Sequence, residues 1–545
     1  MSAVRRCLVM LGIATAIASV ACGEVSHGDG DGADSDDDGG AQTDDDGGDG
    51  GGDGGDVKGF AVDVAVERLF LRQGQTAALE VTISREDGFD TAVTVELRDL
   101  PAGVTAEPAT AQPGGGRAIV MVSAASDATQ GALGVEAVGK AGDVERRAAV
   151  RLVVAGEPGT LDQSFAGGGV FTYQLAGLAS TGRGLAIQPD GKIVMTGGAG
   201  GQAVTIRLDA DGALDDSFGS GGAVSTGVGP QSRGAVVTLA PEGRILVGAD
   251  VSGSAGPDVG LVAYTPAGEL DGGFGSAGTV VVDTPVGVDD VRKVLVLGSG
   301  ELLTVARAEA LGKDFALQVT RHSAAGVLDA GFGLTQQLYS PAAAFLDREG
   351  RLALAGIRDG LERLTFVDRF LPDGTPDESF SEDGVVETDI APGAIDGATG
   401  LIELDGGKLL ATGFAAPDAQ ALLALARYNP NGSLDLTFGD GGVLVTPTPF
   451  DPADSLRTTV GGAEAVLVAG REPVSGLPAV MRLLGDGSAD PSFGDGGLAT
   501  VDAGLPVTID SGVDGIAIDG DGRIVASGSA GMFETTSYVV ARLWP

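Results

Sequence analysis

Apolar and polar positions alternate in short runs along most of this chain, and Gly or Pro separates the runs. Such runs occupy residues 61–66, 78–83, 93–97, 118–122 and 148–154. A period of two with this punctuation is typical of half-buried β-strands. Residues 58–156 lack any longer repeat and have a length that suits one β-sandwich of about 100 residues.

From residue 159 the alternation becomes a repeat of roughly 55 residues, a period that fixes the architecture before any local motif is considered. Its most regular part is Leu-Asp-x-x-Phe-Gly-x-Gly-Gly, as in residues 214–222. The phenylalanines recur at spacings of 53, 56, 58, 48, 58 and 55 residues: Phe165, Phe218, Phe274, Phe332, Phe380, Phe438 and Phe493. These positions define seven units.

Each unit contains four short apolar runs, which in the first unit are residues 170–173, 185–188, 193–197 and 203–208. Asp190-Gly191 separates the second run from the third, and Asp-Gly between alternating runs is a strong hairpin signal. Four strands in a unit of this length predict one blade of a β-propeller. Residues 170–174 have no unit before them, so we expect this strand to complete the last blade beside residues 538–543. The prediction is an all-β chain with a seven-bladed propeller and a shared closing blade; an open solenoid is the alternative.

The pattern Leu-Asp-x-x-Phe-Gly-x-Gly-Gly, then Pro-Asp-Gly-Lys-Ile-Val-x-x-Gly, then an arginine-bearing strand, resembles the delta-60 repeat family of secreted bacterial proteins. The resemblance covers residues 159–545 and implies a propeller-like fold, without an activity to transfer. Gln336 and Ser381 replace glycines of the pattern, and Tyr264 stands where other copies have arginine. Residues 100–108 resemble a loop of bacterial immunoglobulin-like domains, which implies an immunoglobulin-like sandwich acting as a spacer.

An aspartate lies three residues before every anchoring phenylalanine, and an arginine lies eleven residues before five of them. The fixed separation predicts that the two side chains bond within one rigid turn. A feature present in every unit is structural, so we do not interpret it as seven metal or anion sites.

The N-terminus has the features of an export signal in residues 1–22: Arg5 and Arg6 precede an apolar run that is short for a membrane span. Ser19-Val20-Ala21-Cys22 resembles the lipobox of bacterial lipoproteins, which implies lipid attachment at Cys22 and a membrane partner. Gly23 in place of aspartate favours the outer membrane, with the protein periplasmic or exposed at the surface. Ordinary cleavage to a soluble product is the alternative. Residues 23–57 are rich in Gly and Asp, which predicts a disordered linker.

The net charge of −42 argues against a nucleic-acid partner. Both cysteines, Cys7 and Cys22, precede the folded body, so a disulfide framework and a cysteine nucleophile are excluded there. Two histidines, His27 and His322, exclude a histidine-cluster metal site. We therefore expect no metal, no cofactor and a monomer.

Residues that differ from one unit to the next are the candidates for ligand binding, because a functional site is not repeated identically in every unit. The segments that lead into the hairpins vary most, and their charged members are Arg183, Arg233, Asp290, Asp396 and Asp514. The hypothesis is a non-enzymatic, surface-anchored lipoprotein whose propeller binds a protein or a glycan. The alternative is a glycan-acting hydrolase or lyase with carboxylates at the channel mouth. Acidic side chains from different blades converging there would favour the enzyme.

Overall fold

The computed structural model describes residues 59–545 apart from 253–256, 283–287, 310–314, 338, 361–362, 418–420, 507–511 and 533–534. The predicted signal peptide and linker, with Cys22, lie outside these residues. The described part belongs to one compact unit, Lys58–Pro545. Its regular structure consists of strands and two short 3₁₀ turns, Pro241–Gly243 and Asp405–Gly407. The prediction of an all-β chain is confirmed.

The first nine strands form two sheets that share one hydrophobic core, here called the sandwich. The strands are β1 (Phe60–Val64), β2 (Arg68–Arg72), β3 (Thr76–Arg85), β4 (Val93–Arg98), β5 (Val104–Glu107), β6 (Ala109–Ala111), β7 (Arg117–Ala124), β8 (Gly131–Ala141) and β9 (Val144–Ala155). Sheet A has the order β1-β3-β7-β5, and sheet B the order β2-β9-β8-β4-β6. Alternate residues of β3 and β7 are buried, as the period-two pattern predicts.

The remaining strands form seven four-stranded sheets. Sheet C joins β10 (Val170–Tyr173) to β35 (Gly512–Ile518), β36 (Ile524–Ala530) and β37 (Ser537–Leu543). Each of sheets D to I contains four consecutive strands. Sheet D contains β11 (Ser180–Ile187), β12 (Ile193–Ala199), β13 (Gln202–Leu208) and β14 (Ala223–Thr226); sheet E contains β15 (Gln231–Leu239), β16 (Ile245–Ser252), β17 (Pro257–Tyr264) and β18 (Thr279–Val282); sheet F contains β19 (Val288–Val296), β20 (Leu302–Glu309), β21 (Phe315–His322) and β22 (Leu328–Gln337). Sheet G contains β23 (Tyr339–Leu346), β24 (Leu352–Arg358), β25 (Leu364–Phe370) and β26 (Val385–Thr388); sheet H contains β27 (Ile395–Glu403), β28 (Leu409–Ala416), β29 (Leu422–Tyr428) and β30 (Val443–Pro449); sheet I contains β31 (Asp451–Val460), β32 (Ala463–Arg471), β33 (Pro478–Leu484) and β34 (Leu498–Thr500).

Sheet C joins the two ends of the repeat region. β10 pairs antiparallel with β37, with Val170 opposite Ala541 and Tyr173 opposite Tyr538. One face of sheet C packs on sheet D in a core that includes Val540 and Phe165. The other face packs on sheet I, where Phe493 belongs to the core. The expected pairing of the first repeat strand with the last strand is therefore observed.

The sandwich packs against sheet C instead of standing apart from it. The Trp544 side chain is fully buried in a cluster with Val153 and Ala155 of β9. Its indole Nε1 donates a hydrogen bond of 3.0 Å to Gln130. Arg151 of β9 forms two hydrogen bonds, of 2.6 and 2.7 Å, with Asp521 in the β35–β36 turn. Trp544 therefore joins the sandwich to the end of the last strand of sheet C.

The predicted aspartate–arginine pair is confirmed and forms part of a three-residue clamp. Arg207 Nε donates a 2.7 Å hydrogen bond to Asp215, and the guanidinium lies 4.7 Å from the centre of the Phe218 ring. Ser217 donates to the other Asp215 oxygen through its hydroxyl and its backbone N–H. The same clamp recurs five times: Arg321–Asp329–Phe332, Arg369–Asp377–Phe380, Arg427–Asp435–Phe438, Arg482–Asp490–Phe493 and Arg542–Asp162–Phe165.

Each clamp also contacts the following unit. A glycine with positive φ faces the clamp phenylalanine, and a Cβ added at Gly212 would lie only 2.6 Å from the Phe165 ring. After the ring, Gly219 N donates to Ala267 O at 2.8 Å. Gly494 N makes the equivalent bond to Pro158 O at 3.0 Å, which links the last unit to the start of the first.

One clamp is assembled differently, which corrects the assignment of Tyr264. Ala263, and not Tyr264, has the backbone hydrogen bonds that Arg207 makes in its own unit. The side chain of Ala263 is uncharged, and Arg244 from the β15–β16 hairpin contacts Asp271 at 2.9 Å instead. The carboxylate therefore keeps a guanidinium partner although the strand arginine is missing.

Replacing a clamp arginine should destabilise the fold, because it leaves a buried carboxylate without its partner. Arg482 and Asp490 are 4% and 5% exposed and 2.8 Å apart. We expect Arg482→Met to lower the free energy of unfolding by about 3 kcal/mol, and added Asp490→Asn to recover part of the loss. The control is Arg348, which is 69% exposed and lies 3.9 Å from Glu403. Arg348→Met should change the free energy of unfolding by less than about 0.5 kcal/mol. Denaturant unfolding of the three variants measures the effect, and equal losses for both arginines would contradict the role of the clamp.

Candidate functional site

A β-bulge lies near the start of the first strand in each of sheets D to I, and near the start of β35 in sheet C. The ladder to the second strand shifts at Gly182/Leu185, Gly234/Val236, Val291/Lys293, Pro341/Ala343, Ala398/Gly400, Pro452/Asp454 and Val513/Gly515. A bulge leaves an extra residue outside the ladder and redirects its side chain. The seven sheets therefore present seven such residues at equivalent places.

These bulge residues line one cavity of about 540 Å³, here called the central cavity, with contributions from all seven sheets. They are Arg183, Ala235, Arg292, Ala342, Thr399, Ala453 and Asp514. The backbone conformation repeats at these seven bulge positions, but the side chains differ from sheet to sheet. The central cavity is thus the place where the symmetry of the repeat is broken most clearly.

The charges around the central cavity are segregated. Arg183 of sheet D and Arg292 and Lys293 of sheet F provide its cations, and Asp454 of sheet I and Asp514 of sheet C provide its carboxylates. Lys293 Nζ lies 3.8 Å from Asp454 Oδ1, although the two residues belong to non-adjacent sheets. The cavity therefore has a basic side and an acidic side that one ion pair connects.

A second cavity of about 440 Å³, the side pocket, lies beside sheets D, E and F. Two cross-strand ion pairs of opposite polarity border it. Arg233 lies opposite Asp250 in the ladder, with 2.9 Å between the guanidinium and the carboxylate, and Asp290 lies opposite Arg307 with a direct hydrogen bond. Arg183 Nη1 is 3.7 Å from Asp250, so one carboxylate connects the two cavities.

The acidic side contains a carboxyl group with a perturbed pKa. The Asp514 side chain is exposed to the central cavity, where the seven sheets surround it. Partial desolvation by these sheets raises the pKa of Asp514 from 3.8 to about 6. The Arg183 and Arg233 guanidiniums oppose the increase in pKa, and the Asp454 carboxylate adds to it. A carboxyl group with this pKa exchanges a proton close to neutral pH.

Four of the five predicted site residues border the two cavities. Arg183 and Asp514 line the central cavity, and Arg233 and Asp290 line the side pocket. Asp396 differs from them, because it is fully buried and accepts hydrogen bonds from the backbone N–H groups of Thr365 and Ile390. It has a structural role like that of Ser232 in sheet E, which accepts the corresponding backbone bonds. We therefore exclude Asp396 from the candidate site.

Four residues of the site were not predicted from the sequence: Asp250, Arg292, Arg307 and Asp454. Asp250 and Arg307 lie on second strands, outside the segments that lead into the hairpins. The signal that could have identified them is the reciprocal pattern of the two hairpins, arginine opposite aspartate in one and aspartate opposite arginine in the next. Arg292 and Asp454 require the position of the bulge, which the sequence does not reveal.

In the described part of the chain, no group of three or more His, Cys, Asp or Glu side chains is arranged to hold a metal ion. The described residues also contain no helix that is long and apolar enough to cross a membrane. The described side chains that line the two cavities carry guanidinium, ammonium, carboxylate, hydroxyl and amide groups.

Two segments of the chain, residues 188–218 and 407–438, match the family model described as a domain of unknown function (DUF5122) beta-propeller. Each segment runs from the first hairpin turn of a sheet to a clamp phenylalanine, so both matches fall on equivalent parts of the repeat. No curated protein sequence matches the chain significantly. The similarity supports the prediction of a β-propeller-type fold.

The perturbed carboxyl group should contribute a measurable pH dependence to stability. Because the pKa of Asp514 is higher in the folded chain than its ordinary value, the folded state binds more protons between about pH 4 and 6. This group's contribution to the free energy of unfolding should therefore fall as pH rises through that range. Asp514→Asn should remove this decrease, and Asp454→Asn should shift it to lower pH by removing a like charge.

Denaturant unfolding of the wild type and the two variants between pH 4 and 7.5 provides the measurement. The difference between wild type and Asp514→Asn isolates the single group from other titrating residues. A constant difference across this range would contradict the perturbed pKa.

Proposed function

We propose that the seven four-stranded sheets are the blades of one closed β-propeller, residues 159–545, with sheet C as its shared closing blade. The pairing of β10 with β37, the packing of sheet C on both sheet D and sheet I, and the Gly494–Pro158 bond support closure. We propose further that residues 58–156 are an immunoglobulin-like domain. Two packed sheets with a common core and alternating burial support that assignment.

We infer that the chain is a lipoprotein of the cell envelope, anchored to the outer membrane through Cys22 and separated from it by residues 23–57. The support comes from sequence alone: a basic and apolar leader, small residues before Cys22, and a Gly/Asp-rich segment after it. On this proposal the signal peptide is removed, and the propeller is held at a distance from the membrane.

Lipid attachment can be tested by metabolic labelling with a fatty-acid analogue. The wild-type chain should be labelled and should fractionate with membranes, whereas Cys22→Ala should lose both properties because the sulfur is the attachment atom. Cys7→Ala is the matched control, because this cysteine lies within the leader that would be cleaved off. Equal labelling of the wild type and Cys22→Ala would refute the anchor.

We propose that the propeller is a non-enzymatic binding module whose ligand occupies the central cavity. One observation carries this proposal: the seven bulges repeat the backbone, but their side chains range from arginine through alanine to aspartate. A purely structural position would be expected to repeat like the clamp does. Charged side chains from four sheets around a cavity of about 540 Å³ suit recognition of a polar ligand, either a glycan or a segment of an envelope protein.

A glycan-acting hydrolase is the second candidate, and the acidic side of the cavity favours it. Asp454 and Asp514 come from adjacent sheets, and the raised pKa of Asp514 is the property that a general acid requires. Asp454 would then be the second carboxylate of the pair. The two candidates share the cavity and differ in whether the bound glycan is cleaved.

Retention of envelope components on the immobilised chain distinguishes these candidates. The wild type should retain a glycan or protein fraction, and Arg183→Gln should retain at least about tenfold less because the cavity loses one of its cations. Arg147→Gln, on the surface of the sandwich, is the control and should behave like the wild type. Release of new reducing ends by the wild type, abolished in Asp514→Asn, would establish the hydrolase instead. Equal retention by all three proteins would place binding outside the cavity.

A further inference from the structure

Four arginines at and beside the two cavities share two carboxylates. Asp250 is contacted by Arg233 at 2.9 Å and by Arg183 at 3.7 Å. Asp290 is contacted by Arg292 at 3.3 Å and by Arg307. We call these four arginines the basic arc. Four guanidiniums around two carboxylates leave two positive charges uncompensated within the arc, in a chain whose net charge is −42.

Two polar atoms at the central cavity lack hydrogen-bond partners among the described residues. Arg292 Nε and Thr399 Oγ1 are both shielded from solvent, and both residues are bulge residues that line the cavity. A buried polar group without a hydrogen-bond partner destabilises the structure that contains it. A donor and a hydroxyl left unsatisfied at the same cavity are therefore consistent with a ligand that completes their hydrogen bonding.

The opposite side of the cavity restricts the chemistry of such a ligand. Ionised Asp454 and Asp514 accept hydrogen bonds but repel a second anionic group, which disfavours compact multivalent anions such as phosphate. Neutral sugars often gain affinity by packing on aromatic rings, but no aromatic side chain is among the described residues that line either cavity. The arrangement therefore suits a ligand with one carboxylate for the arginines and hydroxyl groups for the aspartates.

We propose that the central cavity binds an acidic saccharide, with its carboxylate on Arg183 and Arg292, the two arginines of the basic arc that line this cavity, and its hydroxyl groups directed to Asp454 and Asp514. This inference rests on the binding function proposed above and specifies its ligand. Planar guanidiniums bind carboxylates through paired hydrogen bonds, which gives the arc a geometric preference for this group. The cavity volume of about 540 Å³ accommodates a saccharide of one or two residues.

Calorimetric titration of the full-length chain with a uronic-acid disaccharide tests the proposal. The methyl ester of the same disaccharide is the matched ligand, because it keeps the hydroxyl groups and lacks the charge. We expect the acid to bind at least about tenfold more tightly than the ester, a difference of about 1.4 kcal/mol. Addition of inorganic phosphate at the concentration of the disaccharide should leave acid binding unchanged.

Arg292→Gln should reduce binding of the acid at least about tenfold and leave binding of the ester almost unchanged. Arg457→Gln is the matched control, because Arg457 is 27% exposed and ion-paired like the 29% exposed Arg292 but lies outside both cavity linings. It should bind both ligands like the wild type. If Arg292→Gln does not fold, as judged by its thermal transition, Arg183→Gln takes its place.

Equal affinity for acid and ester, displacement by phosphate, or unchanged acid binding by the arginine variants would overturn the proposal. Cavity-dependent retention of an envelope protein, without binding of the acidic disaccharide, would also overturn it while leaving the binding function intact. If the chain neither binds the acidic disaccharide nor retains an envelope component through the cavity, the binding function itself is refuted.

Discussion

The fold depends on the interaction of one guanidinium with three partners. In each complete clamp the arginine contacts an aspartate of its own unit, lies on a phenylalanine ring, and in several cases donates to a carbonyl of the next unit, as Arg427 does to Gly485 at 3.0 Å. A buried ion pair alone would barely compensate for its desolvation. The additional bonds from Ser or Thr to the aspartate, and the contact with the ring, satisfy the remaining groups. Each sheet is thereby fixed to its neighbour.

The clamp also explains why the site could vary. Arg207 lies opposite Val194, close to the β11–β12 hairpin, whereas the bulge and the side pocket lie towards the other end of the same strands. The register of each sheet is therefore fixed at one end. Substitutions among bulge residues change the lining of the cavity without removing a clamp contact. This separation allows seven similar sheets to carry a single asymmetric site.

The sequence predicted what repeats and missed what depends on register. The period, the hairpins, the pairing of β10 with β37 and the aspartate–arginine contacts follow from motifs that recur along the chain. By contrast, Asp396 and Asp290 look alike in sequence, yet one is buried and the other borders a pocket, because a shift of one residue along a strand reverses the side-chain direction. The sequence also did not show that Arg244 takes the place of the missing strand arginine, because only the folded hairpin brings Arg244 to Asp271.

The packing of the sandwich on sheet C has a physical reason of its own. Sheet C is the one four-stranded sheet here whose strands come from the two ends of the repeat, so forming it requires closure of a loop of several hundred residues. The entropic cost of closing a loop grows only slowly with the length of the loop, but the contacts of this one sheet have to compensate for all of it. Trp544 and the Arg151–Asp521 pair add contacts to the same sheet. The sandwich therefore makes buried contacts that a simple spacer would not need, and they lie on the sheet that joins the two ends of the repeat.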